Sequence, residues 1–243
     1  MHAYDELMAR LKDIDLISQV GGLVGWDQEV MMPPKAAGLR AEQLSWISRT
    51  GHEMITDSRI GELLNDLESR DDLDEVQAGN LRLARESYDK ATKLPTEFVG
   101  ELAKHQSKSQ VSWTEARAAD DFSIFRDDLA KMIDMCRQKA DYLGYENLRY
   151  DALLDLYESG LTVARVDPLF AGLRENVAPL VKAVVERGER PDMAFVDDNK
   201  WGQTGQEALS QAVSEAIGFD FKAGRRDAST HPFCGGSNPD DVR

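Results

Sequence analysis

Apolar residues recur every three or four positions along most of this chain, and that spacing restricts its fold more than any other feature. Near the N-terminus it predicts an amphipathic helix from about residue 4 to residue 20, ended by Gly21-Gly22. One short segment, Phe219-Asp220-Phe221, alternates in the manner of a strand. The pattern therefore predicts a mainly α fold, with at most a small β element near residues 219–235.

The same spacing predicts a series of further helices. Pro33-Pro34 opens the second helix, because proline is tolerated in a first helical turn. The others fall near residues 60–67, 77–91, 98–116, 122–143, 150–160, 166–184 and 206–217. No fixed-period repeat, low-complexity block or linker divides them, which predicts a single helical body over residues 1–243.

Charge and cysteine content exclude several classes of partner. The chain has 29 Lys and Arg residues against 44 Asp and Glu, a net charge of −15, so it repels nucleic-acid phosphates and anionic lipids. No apolar run reaches the roughly 18–20 residues that cross a bilayer, and the first residues do not resemble an export signal. Cys136 and Cys234 form no disulfide framework, which favours the cytoplasm.

The sequence contains only partial metal motifs. His52-Glu53-Met54-Ile55-Thr56 begins like H-E-x-x-H but has Thr56 in place of the second histidine, so it lacks the two-imidazole grip on a metal. His231 and Cys234 offer at most two ligands. His105 lies on an apolar helix face, where a hydrogen-bonded structural histidine is expected. The Trp26-Asp27 and Tyr157-Glu158 pairs either orient a ligand or pack and cap helices.

Polar residues are concentrated in residues 218–243, here called the C-terminal tail. Asp241 and Arg243 are two positions apart, so in an extended segment they point to the same face. There the aspartate can fix the arginine while the arginine receives a carboxylate bidentately. The alternative is an ordinary surface ion pair.

Several of these segments together resemble the thermostable zinc carboxypeptidases of the Taq type. The resemblance covers the whole chain, and His231-Pro232-Phe233 is its most specific part, followed in the family by D-x-R-x-T. The other matching segments are Trp26-Asp27 with Met32-Pro33, Arg40-Ala41-Glu42-Gln43-Leu44, Tyr150-Asp151-Ala152-Leu153-Leu154-Asp155, Tyr157-Glu158 and Gly160.

The resemblance implies a helical, commonly homodimeric enzyme with a deep groove, which removes C-terminal residues from peptides. It implies substrate-binding roles for His231, Phe233, Asp241 and Arg243, with Asp241 orienting the arginine and Phe233 packing. The family's catalytic H-E-x-x-H comes after D-x-R-x-T, and this sequence ends at Arg243, before the threonine. We therefore expect the N-terminal half of such an enzyme, which binds no zinc and is inactive without its C-terminal half, although zinc is implied for the full-length protein.

Two other hypotheses remain open. A stand-alone helical module would use the groove wall to bind a peptide or protein, and it would carry polar residues where the second half of the enzyme belongs. A truncated enzyme would instead leave an apolar surface and self-associate, and the Val166–Val184 stripe favours this reading. We define that stripe as Val166, Phe170, Leu173, Val177, Val181 and Val184. In the third hypothesis, two chains share a metal through His231 and Cys234.

Overall fold

The computed structural model describes residues 3–194 and 201–243, and within them it is built from helices and one small sheet. The helices are α1 (Ala3–Val30), α2 (Ala37–Ile55), α3 (Ser58–Glu68), α4 (Glu75–Ala91), α5 (Thr96–Ala119), α6 (Ser123–Leu143), α7 (Arg149–Leu154), α8 (Val163–Arg187) and α9 (Gln203–Ala216). The strands are β1 (Gly236–Asn238) and β2 (Asp241–Val242). The predicted mainly α class is confirmed.

The first helix is longer than the sequence predicts. It continues through Gly21-Gly22 to Val30, so the expected end at these glycines is wrong. A Cβ atom at Gly21 would lie 3.2 Å from the Ile47 side chain on α2, which shows that this glycine permits a close crossing of the two helices. As a result, Trp26 and Asp27 lie on a helix rather than in a connecting segment.

The main apolar core forms where α1, α3 and α4 meet. Leu7 of α1 and four residues of α3 are fully or almost fully buried there, and Leu81 and Ala84 of α4 cover them. The α3 residues are Ile60, Leu63, Leu64 and Leu67. Asp57 starts α3 by accepting the Arg59 amide at 2.8 Å, and Asp74 starts α4 with a complete capping box. Burial of one helix face against two neighbours stabilises this part of the molecule.

A second packing unit pairs α2 with α5. Gly100 allows the close approach, since a Cβ atom there would lie 2.5 Å from Cγ of Arg49. Gln28 of α1 also reaches this unit, where Ser107 Oγ donates to its side-chain oxygen at 2.6 Å. The last turns of α1 are therefore fixed against α5.

The two later long helices have no buried residue. Within α8 and α9 no residue that the structure describes is buried, although both helices carry apolar side chains at helical spacing. Along the Val166–Val184 stripe, Phe170 is 59% exposed and Val184 is 60% exposed. The apolar stripe predicted for α8 is therefore an exposed surface.

The small sheet lies next to the predicted position. Strands β1 and β2 are antiparallel, and Gly224 forms a parallel bridge to Val242. The strand predicted at Phe219-Asp220-Phe221 is wrong. Asp220 instead organises a turn, because its carboxylate accepts the Lys222 amide at 2.8 Å and its carbonyl accepts the Gly224 amide at 2.9 Å.

None of the helices in the described ranges is both long and apolar enough to cross a membrane.

Candidate functional site

A cavity of about 630 Å³, here cavity A, lies between the second half of α1, α5 and the C-terminal tail. Its lining includes His231, Phe233, Asp241 and Arg243, the four residues for which the resemblance implies substrate binding. The remaining lining residues are Asp15, Ser18, Gln19, Gly22, Leu23, Gly25, Trp26, Glu29, Gln110, Pro232, Gly235 and Gly236. The fold thus brings all four predicted residues to one concave surface.

The segment around His231 is attached to α5. The Arg117 guanidinium donates to the Thr230 carbonyl at 2.8 Å, and the Trp113 ring lies 6.2 Å from the His231 ring between centroids. Ser229 Oγ donates to the His231 carbonyl at 2.8 Å. These contacts hold His231-Pro232-Phe233 at the edge of cavity A.

The sheet positions Asp241 and Arg243. The backbones of Gly235 and Arg243 exchange two hydrogen bonds, of 2.8 and 2.7 Å. Gly236 is needed for this close pairing, because a Cβ atom there would lie 2.9 Å from the Asp241 carbonyl oxygen. The two side chains then share a face, and Arg243 Nη2 lies 2.6 Å from Asp241 Oδ1. The ion pair that the sequence spacing predicts is present.

Trp26 lies between the tail and the helical body. The guanidinium carbon of Arg243 is 4.9 Å from the centroid of the Trp26 ring, and that of Arg225 is 5.1 Å away. Arg225 also donates two hydrogen bonds to Asp227, at 2.6 and 2.7 Å. This pairing holds the pKa of the Asp227 carboxyl below its usual range. Both guanidinium groups therefore have an aspartate partner and the same indole.

A second cavity, cavity B, lies on the other side of this group. It measures about 690 Å³ and is lined by residues of α1, α9 and the tail. Trp26, Phe233 and Arg243 line both cavities. These three side chains therefore form the partition between cavity A and cavity B.

Cavity A has an uneven charge distribution. Among the lining residues that the structure describes, Arg243 is the one with a permanent positive charge, whereas Asp15, Glu29 and Asp241 are acidic. Gln110 donates to Glu29 at 2.8 Å and so fixes that carboxylate. An anionic group that enters this cavity therefore finds its favourable contact at Arg243.

His52 and His105, the two described histidines outside the tail, have structural partners. His52 Nδ1 lies 2.9 Å from Thr96 Oγ1, and His52 Nε2 lies 2.9 Å from the Ala91 carbonyl. His105 Nε2 lies 2.9 Å from the Asp128 carbonyl. Both histidines are buried. The incomplete metal motif at His52 is therefore a helix-packing contact.

The donor side chains that the structure describes do not fit the zinc ion that the resemblance implies. In residues 3–194 and 201–243, no three His, Cys, Asp or Glu side chains are grouped so that they could hold a metal ion. His231 lines cavity A, whereas Cys234 is exposed and lines cavity B. A zinc site needs at least three protein ligands, and the described residues do not bring three together.

Sequence reasoning did not find every residue of this site. Glu29 and Gln110 lie on helices far apart in the chain, and no local pattern marks them. Arg225 belongs to the polar tail, but its stacking on Trp26 depends on tertiary structure. Tyr157 and Glu158, which were candidates for ligand contact, line neither cavity A nor cavity B.

Comparison with known proteins places this architecture in one family. A sequence profile described as carboxypeptidase Taq (M32) metallopeptidase matches residues 6–243. The chain is 36% identical to carboxypeptidase 1 of Bacillus subtilis, aligning over 100% of this chain and 49% of that protein. It is 33% identical to thermostable carboxypeptidase 1 of Thermus thermophilus, over 99% of this chain and 49% of that protein.

Solved structures agree with the sequence comparison. A crystal structure of BsuCP superposes with a TM-score of 0.95 at 35% identity, covering 100% of this chain and 49% of that one. The structure of Pyrococcus furiosus carboxypeptidase named Apo-Mg gives a TM-score of 0.84 at 31% identity, again over 100% and 49%. The chain thus spans about half the length of the curated relatives it matches, and it belongs to the carboxypeptidase Taq (M32) metallopeptidase family.

Proposed function

We propose that this chain forms a substrate-binding wall of a zinc-dependent metallocarboxypeptidase, and that cavity A holds the C-terminal end of a peptide. One observation carries the proposal: His231, Phe233, Asp241 and Arg243 line the same cavity, and Arg243 is oriented by Asp241 at 2.6 Å. A carboxypeptidase must distinguish a chain end from a mid-chain peptide bond. The terminal carboxylate is the chemical difference, and arginine is well suited to bind it.

Each of these residues has a defined part in the proposed site. Asp241 forms an ion pair with one terminal nitrogen of Arg243, Nη2, whereas the guanidinium has five N–H donors in total. The Arg243 Nε atom is buried and has no hydrogen-bond partner among the described residues, so in this proposal a carboxylate binds at the terminal guanidinium nitrogens. Phe233 is 47% exposed and offers an apolar surface to the last side chain of the peptide. His231 lies at the cavity edge, nearest the rest of the substrate.

The metal chemistry lies outside the residues of this chain. When bound, the zinc of such an enzyme supplies Lewis-acid polarisation of the scissile carbonyl and an activated water. The sequence contains no H-E-x-x-H. In this proposal the 243 residues bind and orient the peptide end, bind no stoichiometric zinc and do not hydrolyse peptides alone.

The partner in this proposal is the other half of the family fold, on which the metal ligands lie. The Val166–Val184 stripe supports this choice, because a stand-alone binding module would present polar residues to water there. Val181 is instead 55% exposed. Without the second half, the exposed stripe favours self-association between copies of this chain, a contact distinct from the homodimer that the resemblance implies for the full-length enzyme. The two free cysteines suit the reducing cytoplasm, which remains the proposed compartment.

The test compares two forms of one short peptide, with a free C-terminal carboxylate and with a C-terminal amide. Calorimetric titration into the 243-residue chain should give tighter binding of the free acid, by about tenfold. Arg243→Leu should abolish this preference. Arg126→Leu is the matched control, because Arg126 is exposed on α6 and pairs with Asp127 outside the cavity.

Equal affinity for the acid and the amide would overturn the assignment of cavity A. Metal content gives a separate test of the catalytic half of the proposal. About one zinc per chain, together with peptide hydrolysis, would show that the chain is complete as an enzyme.

A further inference from the structure

Trp26 contacts two arginines, Arg243 in the partition between the cavities and Arg225 in the lining of cavity B. The guanidinium carbons of Arg243 and Arg225 lie 4.9 and 5.1 Å from the ring centroid. Tryptophan has the aromatic face that attracts cations most strongly, and both distances lie within the range of that attraction. The indole thus fixes the position of two positive groups at one wall.

Trp26 is itself held by the helical body. Its neighbour Asp27 forms an ion pair with Arg40 of α2 at 2.5 Å, and Arg40 also donates to the Val24 carbonyl at 2.8 Å. Arg40 is thus bonded to α1 on either side of Trp26. The next residue, Gln28, accepts the Ser107 hydroxyl of α5 at 2.6 Å. The indole is therefore an anchored platform, and its position is set by α1, α2 and α5 together.

Apart from the Trp26 ring, few directional contacts orient the Arg243 side chain. Its backbone is paired with Gly235, but the side chain that projects from it has several rotatable bonds. Asp241, two residues earlier on β2, gives one ionic contact at 2.6 Å. This one ionic contact does not by itself fix the guanidinium plane, in a side chain that is 25% exposed. The face contact with Trp26 supplies the second constraint, which defines the plane.

We propose that Trp26 is a positioning residue, whose indole face holds the Arg243 guanidinium in the orientation that receives a peptide carboxylate in cavity A. This inference rests on the proposed function of cavity A. Trp26 acts through Arg243 and has no chemical step of its own. Carboxylate recognition then depends on three elements together: Asp241 sets the distance, Trp26 sets the plane and Arg243 makes the bond.

The experiment measures the ratio of affinities for the free-acid and amidated forms of the same peptide in Trp26 variants. In Trp26→Leu the ratio should fall about fivefold, through weaker binding of the free acid alone. In Trp26→Phe, which keeps an aromatic face, the fall should be about twofold. Trp46→Leu is the matched control, because Trp46 is exposed on α2 and lines neither cavity. Its ratio should equal that of the parent chain.

The outcomes separate this inference from the proposed function. If the parent chain does not prefer the free acid, the proposed function of cavity A fails. If the parent chain prefers it and Trp26→Leu keeps the full ratio, the positioning role is overturned. Equal weakening of both peptides would show a purely structural role and would also overturn it. If Trp26→Leu does not fold, Trp26→Phe decides, because an unchanged ratio in that variant is incompatible with the proposal.

Discussion

Two regions of the molecule both form helices but differ in the burial of their side chains. The first is residues 3–154, and the second is the later described segments, 163–194 and 201–243. All the buried residues that the structure describes lie in the first region, from Leu7 to Ala152. Yet α8 in the second region is 25 residues long, whereas α3 in the first has only 11. Helical periodicity therefore does not indicate whether a helix has a packing partner. The first region buries apolar side chains against its own helices, whereas the apolar side chains of the second region stay exposed.

The different neighbours of α3 and α8 account for this contrast. Helix α3 packs between α1 and α4, so Leu64 and the other apolar core residues of α3 are fully or almost fully buried. Helix α8 contacts α7 at its start, and its stripe of similar apolar residues stays exposed. Burial of such residues is the main source of stability, so the two regions should respond differently to the same substitutions.

The largest expected effect is the loss of a buried leucine in the first region. Leu64→Ala should lower the free energy of unfolding by about 3 kcal/mol, since it removes apolar contacts and leaves a cavity. Val181→Ala on the exposed stripe should change it by less than about 0.5 kcal/mol. Urea unfolding followed by circular dichroism measures both. A comparable loss for Val181→Ala would show that α8 is packed in solution, and dependence on protein concentration would identify self-association.

A smaller and local effect is expected in the tail. Gly236→Ala places a Cβ atom 2.9 Å from the Asp241 carbonyl oxygen, which forces β1 away from β2. Hydrogen exchange at the Arg243 amide, which donates to the Gly235 carbonyl, should accelerate, while unfolding of the helical body changes by less than about 0.5 kcal/mol. Gly235→Ala is the control, because a Cβ atom there meets nothing within 4 Å. A large loss of global stability in Gly236→Ala would mean that the tail belongs to the core.

The smallest effect concerns the surface ion pairs of the first region. Arg59 donates two hydrogen bonds of 2.8 Å to Glu6, and this lowers the pKa of the Glu6 carboxyl from 4.5 to about 2. Because the folded-state pKa is the lower one, this pair stabilises the fold above about pH 4.5, and its contribution is lost as the pH falls towards 2. Glu6→Gln should therefore lower the melting temperature slightly at pH 7.

Melting temperatures measured between pH 7 and pH 2 check this expectation. The difference between Glu6→Gln and the parent chain should shrink below pH 4.5 and become small near pH 2, where about half of the parent carboxyl is protonated. Glu53→Gln, on the exposed side of α2, is the control and should leave the melting temperature at pH 7 unchanged. A difference that persists unchanged at pH 2 would mean that Glu6 acts through packing and not through charge.

The sequence predicts the helices well because apolar spacing is a local property of the chain. It fails at Gly21-Gly22, where a close crossing with Ile47 decides that the helix continues. It fails again at Phe219-Asp220-Phe221, where the hydrogen bonds of Asp220 favour a turn over a strand. In each case a specific contact outweighs the local pattern.

The same distinction between local pattern and tertiary contact applies to the candidate site. The pairing of Asp241 with Arg243 follows from their spacing, and the structure contains it at 2.6 Å. The stacking of Arg243 on Trp26 joins opposite ends of the chain, so no local pattern reveals it. A resemblance to a family points to residues, whereas only the folded chain shows which of them touch.

The length of α1 has a consequence for how this chain can vary. Its 28 residues form one rod of about 42 Å, which starts in the core at Leu7 and carries Trp26 near its other end. Inserting one residue between them would turn the indole by about 100° around the helix axis. An insertion after Ile14 would leave the contacts of α1 with this core in place, but Trp26 would no longer face Arg243. The length of helix α1 therefore fixes the position of Trp26 relative to Leu7. Insertions or deletions between these two residues should be rarer than substitutions there.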